Sequence, residues 1–289
     1  MRIAALDIGG TKIKFAGFEG NTDLRIQEMD TPCAGPDLLL DSLERAVTSL
    51  GSANAIGVCT RGQVSREGAI LFDNGPIRDY TGTELKRELE ARLSLPVFVE
   101  NDANAAAWGE ARLGAGRGAE HLACVTFGTG IGGGMVIGGK LFRGAHCSAG
   151  EFGAMQLFSQ NPLPLGKNGA FYENTASASA LVESVRKHFP DISDGRQLCS
   201  RLDEAPIFAL VDRWAEKAAL GISSLVHLLD PEKVILGGGI MQNQTVFSLV
   251  EKHTRAQLMH GFERVCLCPA QLGNRAGLIG AALLAEEML

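Results

Sequence analysis

The residues with the most chemical promise lie in three glycine-rich turns. Asp7-Ile8-Gly9-Gly10-Thr11-Lys12 ends an apolar run with a carboxylate, then adds two glycines, a hydroxyl and an ammonium. Glycines let backbone N–H groups meet an anion with no side chain in the way. Thr11 supplies a further donor, and Asp7 can orient a water of the Mg2+ that usually accompanies phosphate. A hairpin turn with a solvated Asp would use the same six residues. Thr126-Phe127-Gly128-Thr129-Gly130-Ile131-Gly132-Gly133-Gly134 holds five glycines in nine positions, costly in chain entropy unless the backbone itself is needed. No Gly-Lys-Ser/Thr follows, so it is not a Walker loop. Its Gly128, Gly130, Gly133 spacing is like GxGxxG, but that fingerprint needs a helix after the turn and a strand pattern follows here, which argues against NAD. Val234-Ile235-Leu236-Gly237-Gly238-Gly239-Ile240 ends a buried-type strand before a helix. It fits a flat base or ribose on bare backbone, or equally tight strand–helix packing. Three such turns, each at a strand end, point together to a nucleoside triphosphate.

The elements that must hold these turns follow from hydrophobic periodicity. Residues 2–7 and 12–18 read as two strands about the first glycine turn, and residues 55–59 as a short buried strand before Thr60-Arg61-Gly62. Residues 37–50 and 83–93 are amphipathic helices. Residues 96–100 are a strand with Asn101-Asp102 at its end, and the alanine-rich residues 103–113 form a helix. Gly114–Gly118 is small and flexible and marks a domain boundary. The pattern then restarts as strand (121–127), glycine turn (128–134) and strand (135–137). Residues 158–170 are loop-like. Helices are expected at 177–188, 207–229, 245–258 and 277–288, and strands at 234–236 and 265–268. Alternating strands and helices define an α/β protein. Two halves of similar design imply an intervening cleft, where ligands bind in such folds. The expected domains are 1–115 with 277–289, and 116–276.

Composition narrows the function classes. The chain has 289 residues, 45% hydrophobic and 21% charged, with a net charge of −6. That excludes a disordered chain and argues against nucleic-acid partners, which require a basic face. Its 36 glycines exceed the average share of about 7%. No apolar run approaches the ~20 residues of a membrane span. No charged leader precedes the first strand, so a cytoplasmic setting is expected. Seven scattered cysteines are then free thiols, and Cys266-x-Cys268 lacks the second pair that a metal site needs.

Five motifs in register resemble the ROK family (repressor, open reading frame, kinase) of sugar kinases, within the actin-like ATPase fold. They are Asp7–Lys12 (DIGGTK), Glu100–Ala107 (ENDANAAA), Gly128–Gly134 (GTGIGGG), Gly150–Gly153 (GEFG) and Leu236–Gly239 (LGGG). The resemblance spans nearly the whole chain. It implies two ribonuclease H-like lobes with mixed sheets. It also implies transfer of the ATP γ-phosphoryl to a sugar hydroxyl, usually O6, with Mg2+. It makes Asp102 the general base, and Asn101, Glu151, Glu173 and Gly62 the sugar-binding residues. Asp7, Gly9, Gly10, Thr11, Lys12, Gly128, Thr129, Gly130, Gly132, Gly237, Gly238 and Gly239 become the ATP- and phosphate-binding residues. Asp102 could instead cap the helix that follows it. The family is often dimeric, though no segment here shows this independently. A weakly catalytic sugar sensor on the same fold is the rival reading. The intact Asp7, Asn101, Asp102 and Glu151 count against it.

Departures from the family pattern bear on the substrate. Ala154 stands where most members have a zinc- and sugar-binding His, and residues 163–170 lack the family's cysteine cluster, so no zinc is expected. His146 and Cys147 cannot make a tetrahedral site alone, and His146 reads mainly as a packing or surface residue. GEFG followed by Ala154-Met155 is similar to β-glucoside kinases, and some N-acetylmannosamine kinases also lack the metal. Arg61 replaces the Pro of the family's small-Pro-Gly turn. It reads as a solvated loop charge or as a partner for an acidic substrate. Asn74 and Arg78 lie in another loop that faces the sugar in the family.

Overall fold

A computed structural model describes residues 1–20, 24–157 and 171–289. The expected loop at 158–170, including the turn glycines Gly166 and Gly169 and the cysteine-free stretch, lies outside the described residues. The chain divides into two compact units. The first comprises Met1–Arg117, Leu141–Ala149 and Asn274–Leu289; the second comprises Gly118–Lys140 and Gly150–Gly273.

In the first unit the elements are β1 (Ile3–Ile8), β2 (Lys12–Phe18), β3 (Gln27–Asp30), α1 (Pro36–Ser49), β4 (Ala55–Thr60), β5 (Gln63–Val64), β6 (Ile70–Phe72), α2 (Leu85–Leu93), β7 (Val97–Asn101) and α3 (Asp102–Leu113). The main sheet runs β3-β2-β1-β4-β7, with β1–β2 antiparallel and β1–β4–β7 parallel. Its central strands β1 and β4 are nearly continuous apolar runs because both faces are covered. On one face Leu6, Ile8, Val58 and Val97 pack with Leu39, Leu40 and Leu43 of α1 and with Leu85 and Leu89 of α2. Leucines at helical spacing and Pro36 in the first turn account for α1. The small strands β3, β5 and β6 are not foreseen from the sequence, since four or fewer residues show too little periodicity.

The second unit holds β8 (Leu122–Phe127), β9 (Ile131–Ile137), β10 (Lys140–Leu141, whose last residue falls in the first unit), α4 (Tyr172–Ala176), α5 (Ala178–Arg186), α6 (Gly195–Cys199), α7 (Ala205–Leu229), β11 (Lys233–Gly237), α8 (Gln244–Gln257) and β12 (Cys266–Pro269). The sheet order is β10-β9-β8-β11-β12, with β8–β9 antiparallel and β8–β11–β12 parallel. This repeats the first sheet's plan: a short edge strand, an antiparallel hairpin, then two strands parallel to the hairpin's inner strand. Phe127 anchors the core, edge-to-face with Tyr172 and Trp214. The second glycine turn is shorter than expected: Gly132, Gly133 and Gly134 belong to β9, paired with Thr126, Val125 and Cys124. Gly133 is needed there because a Cβ would lie 2.1 Å from the Phe152 ring.

The last helix, α9 (Ala276–Glu287), packs in the first unit against α3 and β4. The approach is backbone to backbone. A Cβ on Gly280 would sit 1.7 Å from the Ala105 carbonyl oxygen. One on Gly109 would sit 2.5 Å from that of Ala276, and one on Gly57 2.2 Å from that of Ala281. These three glycines therefore serve close packing, not ligand loops. Leu141–Ala149 joins the first unit through an ion pair of Arg143 with the buried Glu100, a link invisible in the sequence pattern. No helix among the described residues is long and apolar enough to cross a membrane.

Candidate active site

The candidate residues fall into one set on each unit. On the first unit, β7 delivers Asn101 and Asp102 to the start of α3. Asn101, not Asp102, is the helix cap: its Oδ1 accepts from the N–H groups of Ala103 and Asn104 at 2.9 and 3.1 Å. Its Nδ2 donates to the Gly62 carbonyl at 2.9 Å and to Asp102 Oδ1 at 3.1 Å. Asn101 thus fixes the base candidate and the neighbouring turn together. Gly62 is obligatory in that turn, with φ of 85° and a hypothetical Cβ only 2.6 Å from the Phe72 carbonyl oxygen.

Asp102 is the first residue of α3, and its Oδ1 also accepts from the Ala103 N–H at 2.8 Å. Loss of hydration raises its pKa to about 6, the nearby Asp7 charge adds to the rise, and the Ala103 N–H and the Arg61 charge oppose it. Residue 102 nonetheless keeps an exposed edge. A carboxyl crowded by protein yet open on one side is what a proton acceptor for a bound hydroxyl requires.

Asp7 ends β1 opposite Lys14 of β2, whose Nζ stands 3.6 Å from it. Burial raises its pKa, while Lys14 and a hydrogen bond from the buried Cys59 thiol pull it down. Lys12, expected at the phosphate, pairs instead with Asp30 of β3 at 2.7 Å, its direct cross-strand partner. Lys14 is therefore the cation beside the carboxylate. The hairpin register that pairs residues 7 and 14 is the signal that would have found it. The turn itself is tight: the Gly9 N–H donates to the Lys12 carbonyl at 3.0 Å, and the Thr31 hydroxyl donates to the Gly9 carbonyl at 2.8 Å. Among the described residues no hydrogen bond uses the N–H groups of Gly10 and Thr11 or the Thr11 hydroxyl.

On the second unit, the Glu173 carboxylate accepts from the Ile131 N–H at 3.2 Å. A Cβ on Gly130 would meet Glu173 Oε2 at 2.5 Å, and one on Gly153 at 2.9 Å. Both glycines therefore make room for this carboxylate. Glu173 lies within the short helix α4, four residues before Ser177, whose side chain caps α5. Glu151 is exposed, and its pKa is raised by lost hydration and then by the Glu173 charge. The two carboxylates thus share one neighbourhood. Gly128 and Gly239 face open space, where a Cβ would meet nothing within 4 Å. Thr129 makes no hydrogen bond among the described residues. Gly238 has a structural reason of its own: φ is 97° and a Cβ would lie 2.1 Å from the Phe127 carbonyl oxygen. A Cβ on Gly237 would come within 3.2 Å of the Thr126 side chain. Packing thus explains Gly238, while Gly239 and Gly128 remain open to a bound group.

Elsewhere, His146 and Ala154 are exposed. Arg61 is not a solvated loop charge, because its Nε donates to the buried Asp73 at 2.7 Å. Among the described residues no three His, Cys, Asp or Glu side chains gather as ligands for one ion. A single carboxylate beside the phosphate is enough for Mg2+, which keeps most of its waters and shares phosphate oxygens. Asp7 fits that need: its one ionic partner stands at 3.6 Å, leaving oxygen lone pairs for a metal-bound water.

Comparison with known proteins identifies the class. The ROK family description matches residues 3–288. The chain belongs to the ROK family and has its actin-like α/β fold. It is 36% identical to a glucokinase of Streptomyces coelicolor, over 98% of this chain and 96% of that one. It is 30% identical to a β-glucoside kinase of Listeria monocytogenes, over 99% of both. A crystal structure of a ROK family glucokinase from Streptomyces griseus, with glucose and AMPPNP bound, superposes with a TM-score of 0.85 at 32% identity, covering 99% of this chain and 100% of that one.

Proposed function

We propose that this protein is an ATP- and Mg2+-dependent sugar kinase that phosphorylates a hexose hydroxyl, O6 by family precedent, with Asp102 as general base. The observation that carries the reading is the Asp102 carboxyl. It is held at the start of α3, raised to about 6, and coupled to Asp7 of the glycine turn. Such a group accepts a proton near neutral pH while remaining ionised beforehand.

The reaction follows from these parts. The sugar hydroxyl donates a hydrogen bond to Asp102. As its oxygen bonds to the γ-phosphorus, the proton passes to the carboxylate and the bridging β–γ bond breaks to release ADP. Phosphoryl transfer needs little covalent help, so positioning dominates. Asn101 fixes the base through its bonds to Asp102 and Gly62. The free N–H groups of Gly10 and Thr11 receive phosphate oxygens, with Gly128, Thr129, Gly130 and Gly239 as the nucleotide contacts of the second unit. Glu151 and Glu173 accept from sugar hydroxyls. Mg2+, held through water at Asp7, would offset the phosphate charge.

The substrate reading is a hexose with room for a substituent. Ala154 presents a methyl group where most of the family has an imidazole, and the matched relatives include both a glucokinase and a β-glucoside kinase. The test is turnover with Mg2+ and ATP across glucose, mannose, N-acetylmannosamine, cellobiose and an aryl β-glucoside, with the phosphorylated position read by NMR. A 6-phosphate of one or more of these is expected. Nucleotide binding with no phosphorylated product would favour a sensor and overturn the kinase reading.

A further inference from the structure

Arg61 is built into the first unit as a fixed cation with one edge unused. Its Nε donates to Asp73 Oδ1 at 2.7 Å, and its Nη2 donates to Asn74 Oδ1 at 3.3 Å. Asp73 is itself fixed: its side chain is 1% exposed, and its second oxygen accepts from the Gly75 N–H at 2.9 Å. The loop is shaped around the guanidinium, because a Cβ on Gly75 would lie 2.2 Å from Arg61 Cζ. That leaves Nη1. A Cβ on Gly10 would lie 3.2 Å from it, so the guanidinium edge looks onto the Gly9-Gly10-Thr11 turn. Among the described residues Nη1 has no hydrogen-bond partner.

A planar cation anchored on one side, with free donors beside a phosphate-binding turn, is arranged to meet an oxyanion. Its rigidity lowers the cost of ordering it when the ligand arrives. We infer that Arg61 is a catalytic residue whose Nη1 donates to an oxygen of the phosphoryl group in transfer, with Asp73 as the residue that positions it. An ion pair with Asp73 alone would not require the unused Nη1 edge to lie against the Gly10 turn. The inference rests on the kinase reading above and deepens it. It assigns the charge stabilisation that the glycine turn alone, with neutral N–H donors, supplies only in part.

The test compares Mg·AMPPNP with Mg·ADP, since only the first carries a γ-phosphoryl group. Arg61→Ala leaves a buried carboxylate unpaired, so Arg61→Lys is the decisive variant. Its ammonium can still pair with Asp73 but cannot also reach the turn. Calorimetry on Arg61→Lys is expected to show AMPPNP affinity weakened about tenfold and ADP affinity within about twofold, as loss of one charge-assisted hydrogen bond implies. The value of kcat falls further than KM for sugar rises, and the unfolding midpoint stays near wild type. Equal changes for both nucleotides, or none, would overturn the inference, as would a defect confined to acidic sugars. A wild-type protein that binds neither nucleotide overturns the kinase reading as well. Wild-type binding with an unchanged AMPPNP-to-ADP ratio in Arg61→Lys overturns the Arg61 assignment alone.

Discussion

Asp102 holds its proton more tightly than a free aspartate because protein displaces its water and Asp7 adds a like charge. Two consequences have opposite signs. As the proposed base, Asp102 must be ionised to act, so kcat/KM should fall about tenfold per pH unit below about 6 and level off above it. For stability, a folded-state pKa raised above the unfolded value favours the protonated native state. That contribution is complete below the unfolded pKa and is lost as pH rises through about 6. Asp102→Asn should therefore unfold at a higher temperature than wild type at pH 7.5, with the gap narrowing towards pH 5, as calorimetry would show. Glu151→Gln should raise the KM for sugar about tenfold with kcat little changed, because a charged acceptor becomes a neutral one. Asp7, Asp102 and Glu151 were legible in the sequence as carboxylates at strand ends or in glycine-rich turns. The partners that tune them were not. Lys14 reaches Asp7 through strand register, the Cys59 thiol reaches it from a neighbouring strand, and Asp73 lies twelve residues from Arg61 in irregular chain.

The helix pair α3 and α9 shows how an element serves the site. Asp102 starts α3, and α3 is set by close backbone contact with α9 at Gly109 and Gly280, where a side chain would intrude. An alanine-rich pattern announced the first helix and an apolar one the last, but not that their small residues meet each other, because periodicity reports a face and not its partner. A methyl group at position 280 has no space beside the Ala105 carbonyl. Gly280→Ala should therefore cost about 1–3 kcal/mol by overpacking, lowering the unfolding midpoint by several degrees in a thermal melt. Activity should fall by more than the melt accounts for, since the start of α3 moves with the helix. The glycine turns divide at this scale too. Gly238 and Gly133 answer to packing, whereas Gly128 and Gly239 border open space. A string of glycines cannot disclose that division, because the neighbours that decide it are far away in the chain.

The two units each carry a five-stranded sheet of edge strand, hairpin and two parallel strands, so one plan is used twice with different equipment. The first unit holds Asp102, Asp7 and the Gly9-Gly10-Thr11 turn; the second holds Glu151, Glu173 and the open glycines. The restart of the strand–turn–strand pattern after Gly118 made the repeat readable. The placement of Leu141–Ala149 in the first unit, where Arg143 pairs with Glu100, was not. The proposed substrate reading places a test at Ala154. Ala154→His should suppress turnover of cellobiose and aryl β-glucosides while glucose is retained, measured as relative kcat/KM. The most direct test of the central claim is sugar-stimulated ADP release by wild type and Asp102→Asn, each saturated with Mg2+, ATP and its best sugar. Wild type should release ADP only when sugar is present, and Asp102→Asn should lose about 10²–10⁴-fold in kcat with sugar still bound. ADP release that ignores sugar, or that survives in Asp102→Asn, would contradict the assignment of Asp102 as the base of a sugar kinase.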